Sequence, residues 1–122
     1  TSDGEWNEGS CWEALIFAQH HKLDNLTFVV DSNGLQGFGT TKEVADLGSL
    51  AEKFKIFGVE TLEVNGHDPS SILSALKNNT TLKAIVAKTM KGKGASFMEN
   101  KMEWHYLPMT KDQFIQATEE LA

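Results

Sequence analysis

Three short apolar runs that favour β-strands alternate with helical patterns along this chain, and this alternation restricts its possible folds more than any other feature. The runs are residues 26–30 (LTFVV), 60–64 (ETLEV) and 83–88 (KAIVAK). Because only short connections separate strand and helix patterns, we predict an α/β fold with a parallel sheet of about three strands, helices on both faces and right-handed crossovers. The unbroken apolar run at residues 26–30 is typical of a parallel strand buried on both faces.

The helical patterns come with residues that favour helix ends. Apolar residues recur at helical spacing in the segments 10–21 and 47–57, and two further helices are predicted at 69–76 and 110–121 from the residues that begin them. Ser10 and Thr110 stand where N-caps are expected, Pro69 stands at a first helical position, and Gly58 stands where a C-terminal cap is expected. We predict loops at residues 34–41, which are rich in glycine and threonine, and at residues 92–108.

Length and charge restrict the class of protein. A chain of 122 residues supports one domain with a real core, so residues 1–122 are predicted to form a single domain. Its formal charge of -6 argues against binding to nucleic acid. Cys11, the only cysteine, rules out an intrachain disulfide and fits a reducing cytoplasm. No apolar run is long enough for a membrane span, and no signal peptide is recognised.

Polar residues that suit a metal occur at two places, in a turn at the start of the chain and in the turn that follows the first predicted strand. Ligands of parallel sheets bind at the carboxyl ends of strands, where Asp3-Gly4 and Asp31-Ser32-Asn33 are expected. Asp3 offers a carboxylate, Asn33 an amide oxygen and Leu35 a backbone carbonyl, which are ligands that magnesium accepts. Gly4 allows the backbone to approach a diphosphate closely. Asp-Gly and Asn-Gly are also common turn residues, so these residues alone leave simple turns as the alternative.

A longer series of motifs resembles the N-terminal, diphosphate-binding region of transketolases, and is most similar to the separate N-terminal subunit of split transketolases. The thiamine-diphosphate motif of that family has an Asp-Gly followed about thirty residues later by Asn, and Asn33 lies thirty positions after Asp3. The segments that carry the resemblance are DGEWNEGSCWEA (3–14), KLDNL (22–26), DSNGLQ (31–36), KFKIFG (53–58), EVNGHD (63–68), AKTMKGKG (87–94) and WHYLP (104–108).

The resemblance implies a cofactor site of magnesium and thiamine diphosphate. It implies that Asp3 and Asn33 bind the metal by their side chains and Leu35 by its carbonyl. It places Gly4 against the diphosphate and Asp31 beside the thiazolium ring. The fold implied is the C-terminal portion of a diphosphate-binding (PP) domain, with a strand expected to precede residue 1.

The resemblance also implies two catalytic residues and several partners. His105 matches a histidine near the diphosphate and the reacting carbonyl, where an imidazole can move protons. Glu8 matches a glutamate that links two cofactor sites across a dimer. The implied reaction moves a two-carbon ketol unit from a ketose phosphate to an aldose, with a pyrimidine-binding partner chain or domain. We therefore expect this chain to be inactive alone. Ser2 departs from the family pattern, because a glycine is usual there.

Two alternatives stay open. Deoxyxylulose-phosphate synthases and the alpha subunits of 2-oxo-acid dehydrogenases use the same cofactor, but they differ from this sequence around Trp12-Glu13-Ala14 and after Asn33. A non-catalytic α/β interaction module is the alternative from a different class. Ser2 and Phe38 are the only residues that favour it.

Overall fold

A computed structural model describes residues 1–77 and 80–122. Within these residues the helices are α1 Gly9–His20, α2 Thr41–Ala45, α3 Leu50–Ile56, α4 Pro69–Ala75 and α5 Lys111–Glu120. The strands are β1 Thr27–Ser32, β2 Leu35–Gln36, β3 Gly39–Thr40, β4 Glu60–Asn65 and β5 Lys83–Lys88. Two 3-10 turns, Gly4–Asn7 and Met102–His105, lie in the connections.

The main sheet is parallel and has the strand order β1-β5-β4. Its register aligns Thr27 and Glu60 with the same residue of the central strand, Lys83. β5 is buried along its whole length except at its last residue, Lys88. The predicted parallel sheet is therefore confirmed, and its centre is the third strand of the main sheet in chain order.

Helices cover both faces of the central strand. Side chains alternate between the faces along a strand, so Ala84 and Val86 point to one face and Lys83 to the other. Ala84 and Val86 join a core cluster with Leu15 of α1 and Phe54 of α3. On the other face, the Lys83 ammonium donates to the carbonyl of Ala75 at the end of α4. This packing confirms the α/β layers that the alternating pattern predicted.

The first strand differs from its prediction. It runs from Thr27 to Ser32, and only Val30 on it is buried. Val29, which faces the other way, is 38% exposed. The prediction that this strand is buried on both faces is wrong for the described chain, because the face of β1 that carries Val29 and Asp31 is left exposed. An apolar run favours burial but does not show how completely each face of the strand is covered.

The segment predicted as a loop at residues 34–41 contains regular structure. β2 and β3 form a two-residue antiparallel pair, and α2 begins at Thr41. Strands of two residues are too short to show a hydrophobic period, so the pattern could not reveal them. Thr40 closes the segment with a capping box, in which its side chain and that of Glu43 bond each other's backbone.

The helix ends agree with the predicted caps except at two sites. Gly58 follows α3 with a φ of +78°, Pro69 begins α4, and Thr110 forms a capping box with Gln113. The N-cap position of the first helix is Glu8, which makes no side-chain cap bond, and Ser10 lies inside the helix. The third helix begins at Leu50 rather than at residue 47, because the Ser49 side chain accepts from the backbone N–H of Glu52 at 3.2 Å.

None of the helices in the described ranges 1–77 and 80–122 has the length and apolar character needed to cross a bilayer.

The last helix is tied to the long loop before it by Glu120. Its carboxylate accepts the backbone N–H of Ser96 at 2.6 Å, the Ser96 hydroxyl at 2.7 Å and the Gln116 amide at 2.7 Å. The hydrogen bond from Gln116, followed by those from Ser96, lowers the pKa of Glu120 below its ordinary value of 4.5. The carboxylate therefore holds α5 on the loop when it is ionised.

We expect acid to release α5, because a depressed pKa stabilises the fold above the unfolded value and loses that effect as pH falls through the folded value. In hydrogen exchange, protection of the α5 amides is expected to fall as pH drops below 4.5. Glu120→Gln should show lower protection at pH 7 and little further loss in acid. The exposed neighbour Glu119 provides the control, and a Glu119→Gln variant that behaves like Glu120→Gln would contradict the assignment.

Candidate functional site

The two acid-bearing turns predicted at strand ends lie side by side. Residues 1–3 run parallel to β1, and Ser2 bridges Asp31. The Asp3 N–H donates to the Asp31 carbonyl at 2.9 Å, and the Asp31 N–H donates to the Thr1 carbonyl at 2.9 Å. The first residues thus extend the sheet beyond β1, and this pairing places Asp3-Gly4 at the carboxyl end of β1.

The Asp3 carboxylate is buried, with 7% of the residue exposed. It accepts the N–H of Gly34 at 2.7 Å and the N–H of Gly4 at 2.9 Å. Burial raises the pKa of Asp3 above its ordinary value of 3.8, although the hydrogen bonds from Gly34 and Gly4 oppose this shift. The two amides do not fully compensate for the lost water, so a cation at this carboxylate would be stabilised.

Ser2 fits the turn in which the family usually has glycine. Its N–H donates to a Glu5 carboxylate oxygen at 2.5 Å, and its hydroxyl donates to the same oxygen at 3.1 Å. These two bonds lower the pKa of Glu5 below its ordinary value of 4.5. The serine side chain is therefore accommodated by a carboxylate three residues later.

Asn33 is held in a tight turn after β1. Its amide oxygen accepts the N–H of Leu35 at 2.9 Å, and its amide nitrogen donates to the Asp31 carboxylate at 3.3 Å. The Asp31 carboxylate also accepts the hydroxyl of Thr89. Because an amide oxygen has two lone pairs, the bond to Leu35 leaves Asn33 able to ligate a metal.

One cleft collects most of the predicted site residues. The residues lining it are Ser2, Gly4, Glu5, Glu8, Asp31, Asn33, Leu35, Gln36, Gly37, Lys91 and His105. Of the seven residues predicted for catalysis, cofactor and metal, all except Asp3 line this cleft. Asp3 lines an adjoining cleft that also includes Ser32, Gly34 and Lys88. The sheet edge thus brings together residues from four separate parts of the chain.

The residues at this edge fit a hard cation and a diphosphate. The possible donors are the Asp3 carboxylate, the Asn33 amide and the Leu35 carbonyl, all of which are oxygens. Among the described residues no group of three or more histidine, cysteine, aspartate and glutamate side chains could hold a metal, and the oxygen set here includes only one such side chain, that of Asp3. A Cβ added at Gly4 would lie 2.9 Å from Cβ of Gln36, so this position has no room for a side chain.

His105 and Glu8 lie at the rim of the cleft. His105 is exposed and ends the 3-10 turn Met102–His105. The Trp104 indole N–H fixes this turn by donating to the Phe97 carbonyl at 3.0 Å. Glu8 is exposed at the start of α1, and its side chain forms no cap hydrogen bond with that helix. Both side chains are thus accessible to a ligand or a partner.

Sequence reasoning missed Lys91 and Gln36 as cleft residues. Lys91 is half-buried and lines the cleft. Gln36 lines the same cleft, and its buried Nε2 has no hydrogen-bond partner among the described residues. A lysine next to a glycine is too common to identify a site. Lys91 differs from the exposed Lys93 in that it lines the cleft, and the sequence does not show this difference.

His67 has a structural contact instead of a place in this cleft. Its Nε2 accepts the backbone N–H of Met90 at 2.7 Å and so ties the turn after β4 to the start of the long loop.

Comparison with known proteins identifies a single family over the whole chain. The family model described as "Transketolase, thiamine diphosphate binding domain" matches residues 1–122. An apulose-4-phosphate transketolase subunit from Actinobacillus succinogenes is 40% identical over 124 residues, which cover 99% of this chain and 45% of that protein. The 6-deoxy-6-sulfo-D-fructose transketolase subunit SqwG of Clostridium sp. is 37% identical over 123 residues, covering 98% of this chain and 45% of that protein. The chain spans less than half the length of these curated relatives.

A solved structure agrees with the sequence comparison. The transketolase from Campylobacter jejuni superposes with a TM-score of 0.90 and 33% identity, covering 98% of this chain and 19% of that chain. A TM-score of 0.90 over nearly all residues shows that this chain has the same fold as the matching part of that transketolase.

Proposed function

Because this chain belongs to the transketolase family and carries its thiamine-diphosphate-binding domain, we propose that the cleft beside β1 holds the magnesium and diphosphate end of thiamine diphosphate. The observation that carries the proposal is the cleft itself, which gathers Gly4, Asp31, Asn33, Leu35 and His105. In the sequence these residues are spread over about a hundred positions, and a ligand common to them accounts for their place on one surface.

The metal ligands in this proposal are Asp3, Asn33 and Leu35. Magnesium prefers a few carboxylate or carbonyl oxygens together with phosphate oxygens and water. The buried Asp3 carboxylate supplies the negative charge, and the raised pKa of Asp3 reflects the cost of burying that charge. Asn33 and Leu35 are already joined by a hydrogen bond of 2.9 Å, which holds both oxygens on the same turn.

The diphosphate is placed against Gly4, Lys91 and His105. Gly4 lines the cleft and has no side chain between its backbone and a phosphate, and Lys91 is the lysine on the cleft. A lysine ammonium neutralises phosphate charge as a point charge. The net charge of -6 does not oppose this arrangement, because a metal ion and local amides hold phosphate without overall positive charge.

The proposed reaction transfers a two-carbon ketol unit from a ketose phosphate to an aldose. Thiamine diphosphate supplies the nucleophilic carbon for such a transfer, and the protein supplies anchorage, orientation and electrostatics. His105 is accessible at the rim, where its imidazole can give or take a proton at the substrate carbonyl oxygen. Asp31, fixed by Asn33 and Thr89, stands at the thiazolium end.

The active enzyme is proposed to need a partner and to form a dimer. The two curated relatives above are named as subunits, and this chain matches 45% of each. We propose that a separate chain or domain supplies the pyrimidine half of the site, with Glu8 at the interface between two cofactor sites. The isolated chain is then inactive. A cytoplasmic location completes the proposal, supported by the single free cysteine, Cys11.

A titration with two related ligands tests the proposal. In the presence of magnesium, thiamine diphosphate is expected to shift the amide signals of Gly4 and Gly34 and to raise the thermal midpoint. Thiamine monophosphate should have much less effect, because it lacks the terminal phosphate that reaches the metal. Absence of any response, even with the C-terminal subunit of a transketolase present, would favour a non-catalytic module. Ketose cleavage by the chain alone would overturn the proposed need for a partner.

A further inference from the structure

Tyr106 joins two loops that meet at the mouth of the cleft. Its hydroxyl donates to the backbone carbonyl of Gly37, which lies in the turn between β2 and β3. Tyr106 directly follows the turn Met102–His105, and its ring lies 5.0 Å from the His105 ring at an interplanar angle of 74°. The contact therefore connects the hairpin that begins at Leu35 with the turn that carries His105.

The space around Gly37 is shaped for this contact. A Cβ added at Gly37 would lie 2.5 Å from the Tyr106 hydroxyl oxygen and 3.9 Å from Cδ2 of His105. A Cβ contact below 3.0 Å is sterically excluded, so any side chain at position 37 would displace Tyr106. Glycine at position 37 thus leaves the space that the Tyr106 hydroxyl occupies.

A second attachment of the turn lies within its own loop. The Trp104 indole donates to the Phe97 carbonyl at 3.0 Å, and the two rings lie 5.2 Å apart. This attachment holds the turn to the segment before it rather than to the hairpin. His105 stands between Trp104 and Tyr106 in the chain, and the bond from Tyr106 to Gly37 ties its turn to the hairpin.

We propose that Tyr106 is a positioning residue, which holds His105 over the cleft by bonding Gly37. The inference rests on the proposed function for the role of His105, but the bond from Tyr106 to Gly37, which we call the latch, is a property of the chain itself. Because the His105 side chain is exposed, loss of this single bond changes the fraction of time that His105 spends at the cleft. For one hydrogen bond, we expect a change of about fivefold.

Two variants break the latch from opposite sides. Tyr106→Phe removes only the hydroxyl and keeps the ring beside His105, whereas Gly37→Ala introduces a side chain in the space of the hydroxyl. Phe38→Ala is the matched control, because Phe38 is 86% exposed in the same turn and its side chain is not part of the bond.

The first measurement uses the full chain without cofactor. In both latch variants, the imidazole signals of His105 are expected to move and sharpen toward those of a mobile histidine. Hydrogen exchange at the amides of residues 37–40 should become about fivefold faster. Phe38→Ala should leave both unchanged. His105 signals and exchange rates identical to those of the unaltered chain in Tyr106→Phe would overturn the proposal, whatever the cofactor does.

The second measurement uses the chain with magnesium, thiamine diphosphate and a C-terminal transketolase subunit. We expect Tyr106→Phe to lower kcat about fivefold with little change in KM for the ketose, because His105 acts on the reacting carbonyl. An unchanged kcat, despite altered His105 signals, would overturn the positioning role. If the unaltered chain binds no cofactor, the proposed function fails, and the measurement without cofactor still decides whether the latch exists.

Discussion

Asp3→Asn is expected to abolish the stabilisation of this chain by magnesium and thiamine diphosphate. Asparagine has nearly the volume of aspartate but lacks the charge that a divalent cation needs. If the ligands are present at about a hundred times their dissociation constant, the unaltered chain gains about 2.7 kcal/mol. For a domain of this size the thermal midpoint rises by roughly 10 °C. We expect almost none of this rise in the variant.

Without ligand, the same substitution should have a small effect because two terms oppose each other. It removes a buried charge, whose cost is reflected in the raised pKa of Asp3. It also replaces one of the oxygens that accept from Gly4 and Gly34 by a donor, which costs about 1–3 kcal/mol if the amide is left unpaired. We expect a net change within about 2 kcal/mol, measured by urea unfolding.

The matched control is Asp24→Asn, because Asp24 is exposed in the turn between α1 and β1. This variant should keep the full response to magnesium and thiamine diphosphate. If Asp3→Asn retained the ligand-dependent rise of the control, Asp3 would not be a metal ligand and the proposed site would need a different carboxylate.

Phe54→Ala is expected to be the most destabilising single change in the core. Phe54 is fully buried, and its ring lies 4.5 Å from that of Trp6 and 5.3 Å from that of Phe28. Removal of a buried phenyl ring costs about 3–5 kcal/mol, because contacts are lost and a cavity remains. This is a large fraction of the total stability of an ordinary domain, which is about 5–15 kcal/mol.

The same substitution should also weaken the cofactor site. Trp6 belongs to the 3-10 turn Gly4–Asn7, which directly follows Asp3. Its indole packs on Phe54 and Trp12, and the Trp12 indole N–H donates to the Trp6 carbonyl at 2.7 Å. A cavity at Phe54 therefore frees the turn that carries Asp3 and Gly4. We expect weaker ligand binding under conditions in which the variant is still folded.

Urea unfolding and ligand titration measure these two effects. Phe17→Ala is the control, because Phe17 is 59% exposed on α1, and it should change stability by less than about 1 kcal/mol. A loss below about 1 kcal/mol for Phe54→Ala would contradict the central place of this ring in the core.

The larger elements and three of the helix ends were predictable from the sequence. The last strand was predicted at the bounds observed, Lys83–Lys88, because an apolar run of six residues is a strong local signal. Pro69, Gly58 and Thr110 mark helix ends because each acts through its own backbone conformation or a bond to a neighbour. The motifs from Asp3 to Pro108 identified the family, which the family model then confirmed over residues 1–122.

Other features depended on contacts between distant residues. The exposure of Val29, the two-residue strands β2 and β3, and the cap at Glu8 leave no distinct local pattern. The roles of Asp3, Asn33 and His105 as ligands or catalytic groups stay predictions. The structure adds that all three lie at one edge of the sheet.

By itself, the sequence determined the order of the longer strands and helices along the chain, the family and the residues available as oxygen donors, because these depend on residue type and spacing along the chain. Tertiary structure alone decided that β5 is the central strand, that Lys91 lies on the cleft, and that Tyr106 reaches Gly37. Those features depend on which distant segments pack together, and packing is determined by the whole set of buried side chains rather than by any local pattern. The backbone pairing of Asp3 with Asp31 needed both kinds of information. The sequence motifs identified the two residues as site candidates, and the folded sheet brought them into contact.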